Sequence, residues 1–331
     1  MRKILILIVS VFVFTSCDWG GKINRHEDSS KVKIERYDHL QFEFVTMNNV
    51  ASLQKMNTDY PQATKLLIED VLSIGDVSDP EIENKLLSFF SDTVARRLMN
   101  DVENKYRDVR EIEEELSEGF SNIRKDLYYL PVPRIYTQIS GLNQSIVVGD
   151  SLVGISLDKY MGSDYPLYKR YYYDMQSRFM DPNRIVPDFF YFYLLSQYEM
   201  PFGFGRTLLD VIMHRGKVHW LIKNALDYDS VEEELGYDKE EEKWCKKNKK
   251  ALWKFVQEND HLNATDPMIV RSYMTYPYFT IIDENTPYSI GLYLGYQLID
   301  QFMDSHRDVS VRQLMERTDY RKMLQDTKVN F

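Results

Sequence analysis

Only two cysteines occur in the 331 residues, Cys17 and Cys245. A fold stapled by several disulfides is therefore excluded, and stability must come from packing. None of the six histidines forms a His-x-x-x-His pair, so the helix that carries zinc in many hydrolases is missing. No phosphate loop, dinucleotide fingerprint, nucleophile elbow or calcium loop is found either. Positive charge is in deficit, with a formal net charge of −10. That argues against nucleic acid as a partner and against charge-driven binding to anionic lipid. No apolar run reaches the roughly 20 residues needed to span a bilayer as a helix.

What the chain does have is apolar and aromatic mass. Apolar residues make up 44%, enough for a sizeable core. Aromatics reach 14%, with 24 Tyr and 17 Phe. Aromatic-rich packing accounts for them, and so does a tyrosine-lined ligand groove.

The first residues read MRKILILIVSVFVFTSC. Arg2 and Lys3 precede an apolar stretch from Ile4 to Phe14, and the small residues Thr15 and Ser16 precede Cys17. A charged start, a short apolar stretch and a small-residue processing site make a secretory signal over residues 1–16. The run Phe14-Thr15-Ser16-Cys17 resembles a bacterial lipobox. The resemblance implies that Cys17 becomes the first mature residue and carries acyl chains on its sulfur and its amine. Each buried methylene contributes about 0.8 kcal/mol, so two or three chains anchor a protein durably. Residues 17–31, with glycine, serine and scattered charge, read as a flexible tether. Cys245 then has no intrachain partner and is expected as a buried free thiol.

Residues 32–331 read as one domain. Val32 to Tyr37 alternates as a half-buried strand. Helix and loop are expected over 45–75, with Leu66, Leu67, Val71 and Leu72 on one face, and a further helix start at Asp79-Pro80. Glu103–Leu127 reads as one helix with an apolar stripe through Tyr106, Val109, Ile112, Leu116, Phe120, Ile123 and Leu127. Strands follow at Arg134–Ile139, Ser145–Val148 and Leu152–Leu157, with a tight hairpin turn at Gly149-Asp150. Helices are expected at Ile185–Tyr198 and Thr207–Leu226. Another is capped by Asp238 with Glu241 three residues on. A last long helix is expected to open at Thr286-Pro287, where Gly291 and Gly295 permit close approach of a neighbour. The fold class is α+β, mostly helical with a small sheet and hairpin.

The chemistry is sparse. His214 and His219 lie about 140° apart around a helix, so they do not share one metal. Asp158, Asp164 and Asp188 are carboxylates that a cleft could bring together. No metal site and no cofactor is expected.

From the hairpin onward the chain resembles the gliding motility lipoprotein GldB family of Bacteroidetes. The resemblance rests on Ile135–Leu142, Gly154–Pro166, Leu208-Leu209-Asp210 with Gly216-Lys217, Leu235-Gly236-Tyr237, Trp244-Cys245 and Ile290–Gln297. It implies a lipidated envelope protein associated with gliding motility and type IX secretion, with no known catalytic activity. The layout also looks distantly like a zinc-peptidase fold whose ligands are lost, since the first helix after the hairpin carries Phe189-Phe190-Tyr191-Phe192-Tyr193-Leu194.

The expectation is a non-catalytic interaction protein, anchored to the outer membrane through Cys17, facing the periplasm and meeting envelope protein partners. The alternatives are a hydrolase with an unfamiliar site, or a peptide or glycan carrier. Both would use a groove drawn from Asp158, Tyr160, Tyr191, Tyr193, His214 and Arg215. Tyr191 and Tyr193 lie about 200° apart on a helix, so one is expected in the core and the other exposed. Phe189, Phe192 and Leu195 are expected as the buried stripe, and His214 as dispensable for stability.

Overall fold

The computed structural model describes residues 31–201, 206–275 and 279–331. The signal segment 1–16, Cys17 and the tether up to residue 30 lie outside the described residues. Four strands, β1 (Ile34–Glu35), β2 (Arg134–Gln138), β3 (Ile146–Val148) and β4 (Leu152–Ser156), form one sheet in the order β1-β2-β4-β3. β1, β2 and β4 run parallel, and β3 is antiparallel to β4. The hairpin at Gly149-Asp150 pairs Ile146 with Ile155 and Val148 with Val153. Gly154 lies under the Tyr136 ring, where a Cβ would sit 2.5 Å from the ring carbon Cζ.

The rest of the described chain is mostly helical. Its longer helices are α1 (Tyr37–Met47), α2 (Thr93–Lys105), α3 (Arg110–Asp126), α4 (Ile185–Gln197), α5 (Leu208–Ala225), α6 (Lys239–Glu258) and α7 (Ile290–Ser305). Capping chemistry sets several starts. Thr207 and Asp210 form a capping box at α5, and Asp238 and Glu241 form the expected one at α6. Asp92 accepts from two backbone amides at the start of α2.

Three expectations need correction. The strand at Val32 to Tyr37 shrinks to Ile34–Glu35, because Tyr37 already opens α1 and buries its ring completely. The single helix Glu103–Leu127 is two helices. α2 ends at Lys105 and α3 begins at Arg110, with Asp108 accepting from the Arg110 amide in the break. Tyr106, at the end of α2, instead sends its hydroxyl to the Tyr160 carbonyl. Pro287 does not open α7, which starts after Ser289 in a left-handed conformation. Leu66–Val71 adds a π-helical turn, with Leu72 N–H reaching the Leu67 carbonyl.

Two apolar clusters make the core. One gathers the sheet, α1 to α4 and the end of α5, through Val218, Leu221, Ile222 and Ala225. The other gathers α6, α7 and the C-terminal helices around the start of α5, through Leu208, Leu209, Ile212 and Met213. α5 therefore threads both. It lies tightly against α7, because Gly216, Gly291 and Gly295 remove the side chains that would hold the backbones apart. Cys245 is a buried free thiol whose pKa burial pushes up, so it stays protonated and inert. No helix among the described residues is long and apolar enough to cross a membrane.

Candidate functional site

A cavity of about 290 Å³ opens where the hairpin, α4, α5 and α7 meet. Phe179, Phe192, Leu235, Tyr237, Tyr288 and Leu292 supply much of its wall. A short helical turn, Pro182–Arg184, ends at the cavity, where Arg184 stands at the first position before α4 and lines the wall. One turn later stands Asp188, and the two side chains pair at 3.1 Å. Tyr160, just past β4, donates its hydroxyl to the other Asp188 oxygen at 3.0 Å. Arg184 also donates to the Glu234 carbonyl, at the end of the short helix Val231–Glu234. Burial raises the Asp188 pKa, while Arg184 and Tyr160 hold it down; the same burial keeps the Tyr160 phenol protonated.

His219 enters from the middle of α5. Its Nδ1 lies 2.9 Å from both oxygens of Glu234, and both side chains are buried. The imidazole stacks on Tyr191, with ring centroids 4.7 Å apart and planes 25° apart. Tyr191 is half-buried, and burial raises its pKa against the pull of the nearby Arg215 guanidinium. The arrangement presents aromatic walls and a floor of charges that are already paired.

Of the six groove residues expected from sequence, Tyr160 and Tyr191 line the cavity. Arg215 touches it only through Tyr191. The other three lie elsewhere. Tyr193 faces the opposite side of α4, fully buried, with its hydroxyl on the Pro131 carbonyl. Its separation from Tyr191 follows the expected helical angle, although Tyr191 is half-buried rather than exposed. Asp158 is buried in a loop cradle, accepting from the Ser140 and Leu142 amides and the Ser140 hydroxyl. His214 is buried on the Tyr320 hydroxyl at 2.7 Å, in the packing between helices rather than in the groove. Asp164 is exposed, so the three expected carboxylates do not converge.

Phe192 also overturns its expectation. It is 39% exposed at the cavity lip, while Phe189, Phe190, Tyr193 and Leu194 form the buried face of α4. A run that is aromatic all round has no periodicity to mark its inner face. Sequence reasoning missed Arg184, His219 and Glu234. The i,i+4 spacing of Arg184 and Asp188 was a usable signal. The contact of His219 with Glu234 joins separate helices and left none.

Away from the cavity, Asp38, His39 and Glu103 bring ligand atoms within 4.8 Å of one another. Asp38 is engaged by Arg36 and the Thr137 hydroxyl, whereas His39 Nε2 lies 3.5 Å from Glu103 and makes no hydrogen bond.

Comparison with curated proteins and with solved structures finds no match. The family model for gliding motility protein GldB matches residues 21–330, nearly the whole chain, and takes in every element that builds the cavity. The chain therefore belongs to the GldB family of gliding motility lipoproteins.

Proposed function

We propose that this chain is a non-catalytic binding module, held to the outer membrane by acyl chains on Cys17 and facing the periplasm. The family supports association with gliding motility. The lipobox-like run before Cys17 supports the anchor, and the acidic balance leaves the acyl chains as the means of attachment. After the anchor the chain reads Asp18-Trp19-Gly20-Gly21-Lys22, without an acidic cluster that would favour export to the cell surface.

The observation that carries the reading is the pairing inside the cavity. Arg184 and Tyr160 are both bonded to Asp188, and Glu234 holds His219. Such groups shape and orient a ligand. The layout also favours a zinc-peptidase ancestry put to another use. α4 packs on the antiparallel edge strand β3 and is followed by α5. Asp188 and Phe192, both in the cavity, have the i,i+4 spacing at which a zinc-hydrolase helix places its two histidines. Here those positions hold a paired carboxylate and a phenyl ring.

Affinity capture of the lipidated protein from its own envelope tests the reading. The wild-type chain should recover a defined partner, and Leu292→Trp, which fills the cavity from α7, should lose it. Equal recovery by both, or stoichiometric zinc in the purified protein, would contradict it.

A further inference from the structure

His219 is 4% exposed, and its Nε2 has no protein partner. Glu234 selects the tautomer of the neutral ring. A carboxylate on Nδ1 keeps the proton there and leaves Nε2 as a lone-pair acceptor. A buried acceptor without a donor is unfavourable, so the site favours a ligand that supplies one. Arg184 is the complementary case. Its two terminal nitrogens are engaged by the Glu234 carbonyl and Asp188, but its Nε is buried and unpartnered. Both residues line the cavity and both are tied to Glu234.

The other polar groups of the lining are occupied. Lys159 donates to the Leu142 carbonyl and to Tyr172. Tyr237 donates to the Tyr288 carbonyl, and Ser289 to the Met274 carbonyl. Ser145 bonds to Tyr160. Among the described residues, what remains open in the lining is one acceptor, one donor and an apolar, aromatic wall. Arg184 is matched by Asp188, and the two open atoms are a neutral acceptor and a donor already paired in charge, which suits a neutral hydroxyl.

We propose that the cavity takes the side chain of a tyrosine from a partner polypeptide, with the phenol hydroxyl donating to His219 Nε2 and accepting from Arg184 Nε. A hydroxyl can do both, whereas an indole N–H only donates. The ring packs against Phe179, Tyr288 and Leu292. This rests on the cavity being a binding site, as proposed above, and names its occupant.

The test titrates the purified full-length lipidated protein with four small probes: the N-acetyl amides of tyrosine, phenylalanine and tryptophan, and methyl glucoside. Isothermal titration should show the tyrosine amide binding on the order of tenfold or more tighter than the phenylalanine amide, because the missing hydroxyl strands both buried groups. His219→Gln should shrink that preference to less than about threefold while keeping the far-ultraviolet spectrum, since only the acceptor changes. Leu292→Trp should abolish binding of both amides. Equal affinity for tyrosine and phenylalanine amides, tighter binding of the indole or the glucoside, or an undiminished preference in His219→Gln would overturn the inference. If the probes fail while envelope capture still depends on an open cavity, the occupant is wrong and the binding reading stands. If capture ignores Leu292→Trp, the binding reading itself falls.

Discussion

Gly295 on α7 lies directly against Ile212 on α5. A Cβ built on Gly295 would sit 1.9 Å from the Ile212 carbonyl oxygen, far inside contact distance. The atom in the way is backbone, so no rotamer change relieves the clash. A Cβ added to Gly216, one turn further along α5, would likewise sit 2.3 Å from the Gly295 carbonyl carbon. The α5–α7 contact therefore depends on the absence of a side chain at Gly216, Gly291 and Gly295.

Gly295→Ala should accordingly destabilise the protein by about 1–3 kcal/mol or more, despite the better helix propensity of alanine. Urea unfolding measures it, with Asn224→Ala on the exposed face of α5 as the control. A neutral Gly295→Ala would show that the two helices are not in backbone contact.

The two faces of α4 should separate cleanly. Phe190 is fully buried, and its ring centroid lies 5.0 Å from that of Phe120. Phe190→Ala should cost about 3–5 kcal/mol through the cavity it leaves. Phe192→Ala, at the cavity lip, should cost about 1 kcal/mol or less. Thermal melts of the pair decide between this register and one in which Phe192 is core.

Several element boundaries were legible, because capping and turn chemistry are local. Thr207 with Asp210, Asp238 with Glu241, and the Gly149 turn each needed only neighbouring residues to be seen. The close approach at Gly291 and Gly295 was equally visible, since four-residue spacing puts both on one helix face. The break at 106–109 was not. The stripe through Tyr106 and Val109 continues across it in sequence, while Tyr106 bonds to the distant Tyr160 carbonyl and Asp108 takes the Arg110 amide. The cavity was half legible for a similar reason. Tyr160 and Tyr191 stood out by type, but His219 acquires its meaning from Glu234 on another helix.

Lys217 should leave a mark on alkaline stability. Its ammonium is buried on α5, donating to the Met315 and Arg317 carbonyls at 2.7 Å each, and burial lowers its pKa to about 8. In the unfolded chain it titrates near 10.5. Between those values the unfolded state holds the extra proton, so this group makes stability rise with pH across that window. The rise should be present in wild type and absent from Lys217→Met, so the difference between their urea midpoints should grow in favour of wild type from about pH 7.5 to 9.5. A difference that does not change with pH would mean that the lysine is not desolvated.

His214 should act on the acid side. Burial first, then the charges of Lys217 and Arg215, lower its pKa from 6.5 to about 4. Between these values the unfolded chain again binds the extra proton, so stability falls as pH drops from 6.5 to 4. His214→Gln keeps a polar partner for Tyr320 and removes the titration. Its urea midpoint should fall less steeply than that of wild type over this range, and an equal slope would count against a buried neutral His214.

The central claim is that the cavity between α4, α5 and α7 holds a partner in the cell. The photoreactive amino acid p-benzoylphenylalanine, introduced in place of Phe192 at the cavity lip of the lipidated chain, tests it in living cells. Irradiation should give one discrete crosslinked species, and the same substitution combined with Leu292→Trp should give none while the chain stays at its normal level in the membrane. No crosslink, or an identical crosslink with the cavity filled, would contradict the account.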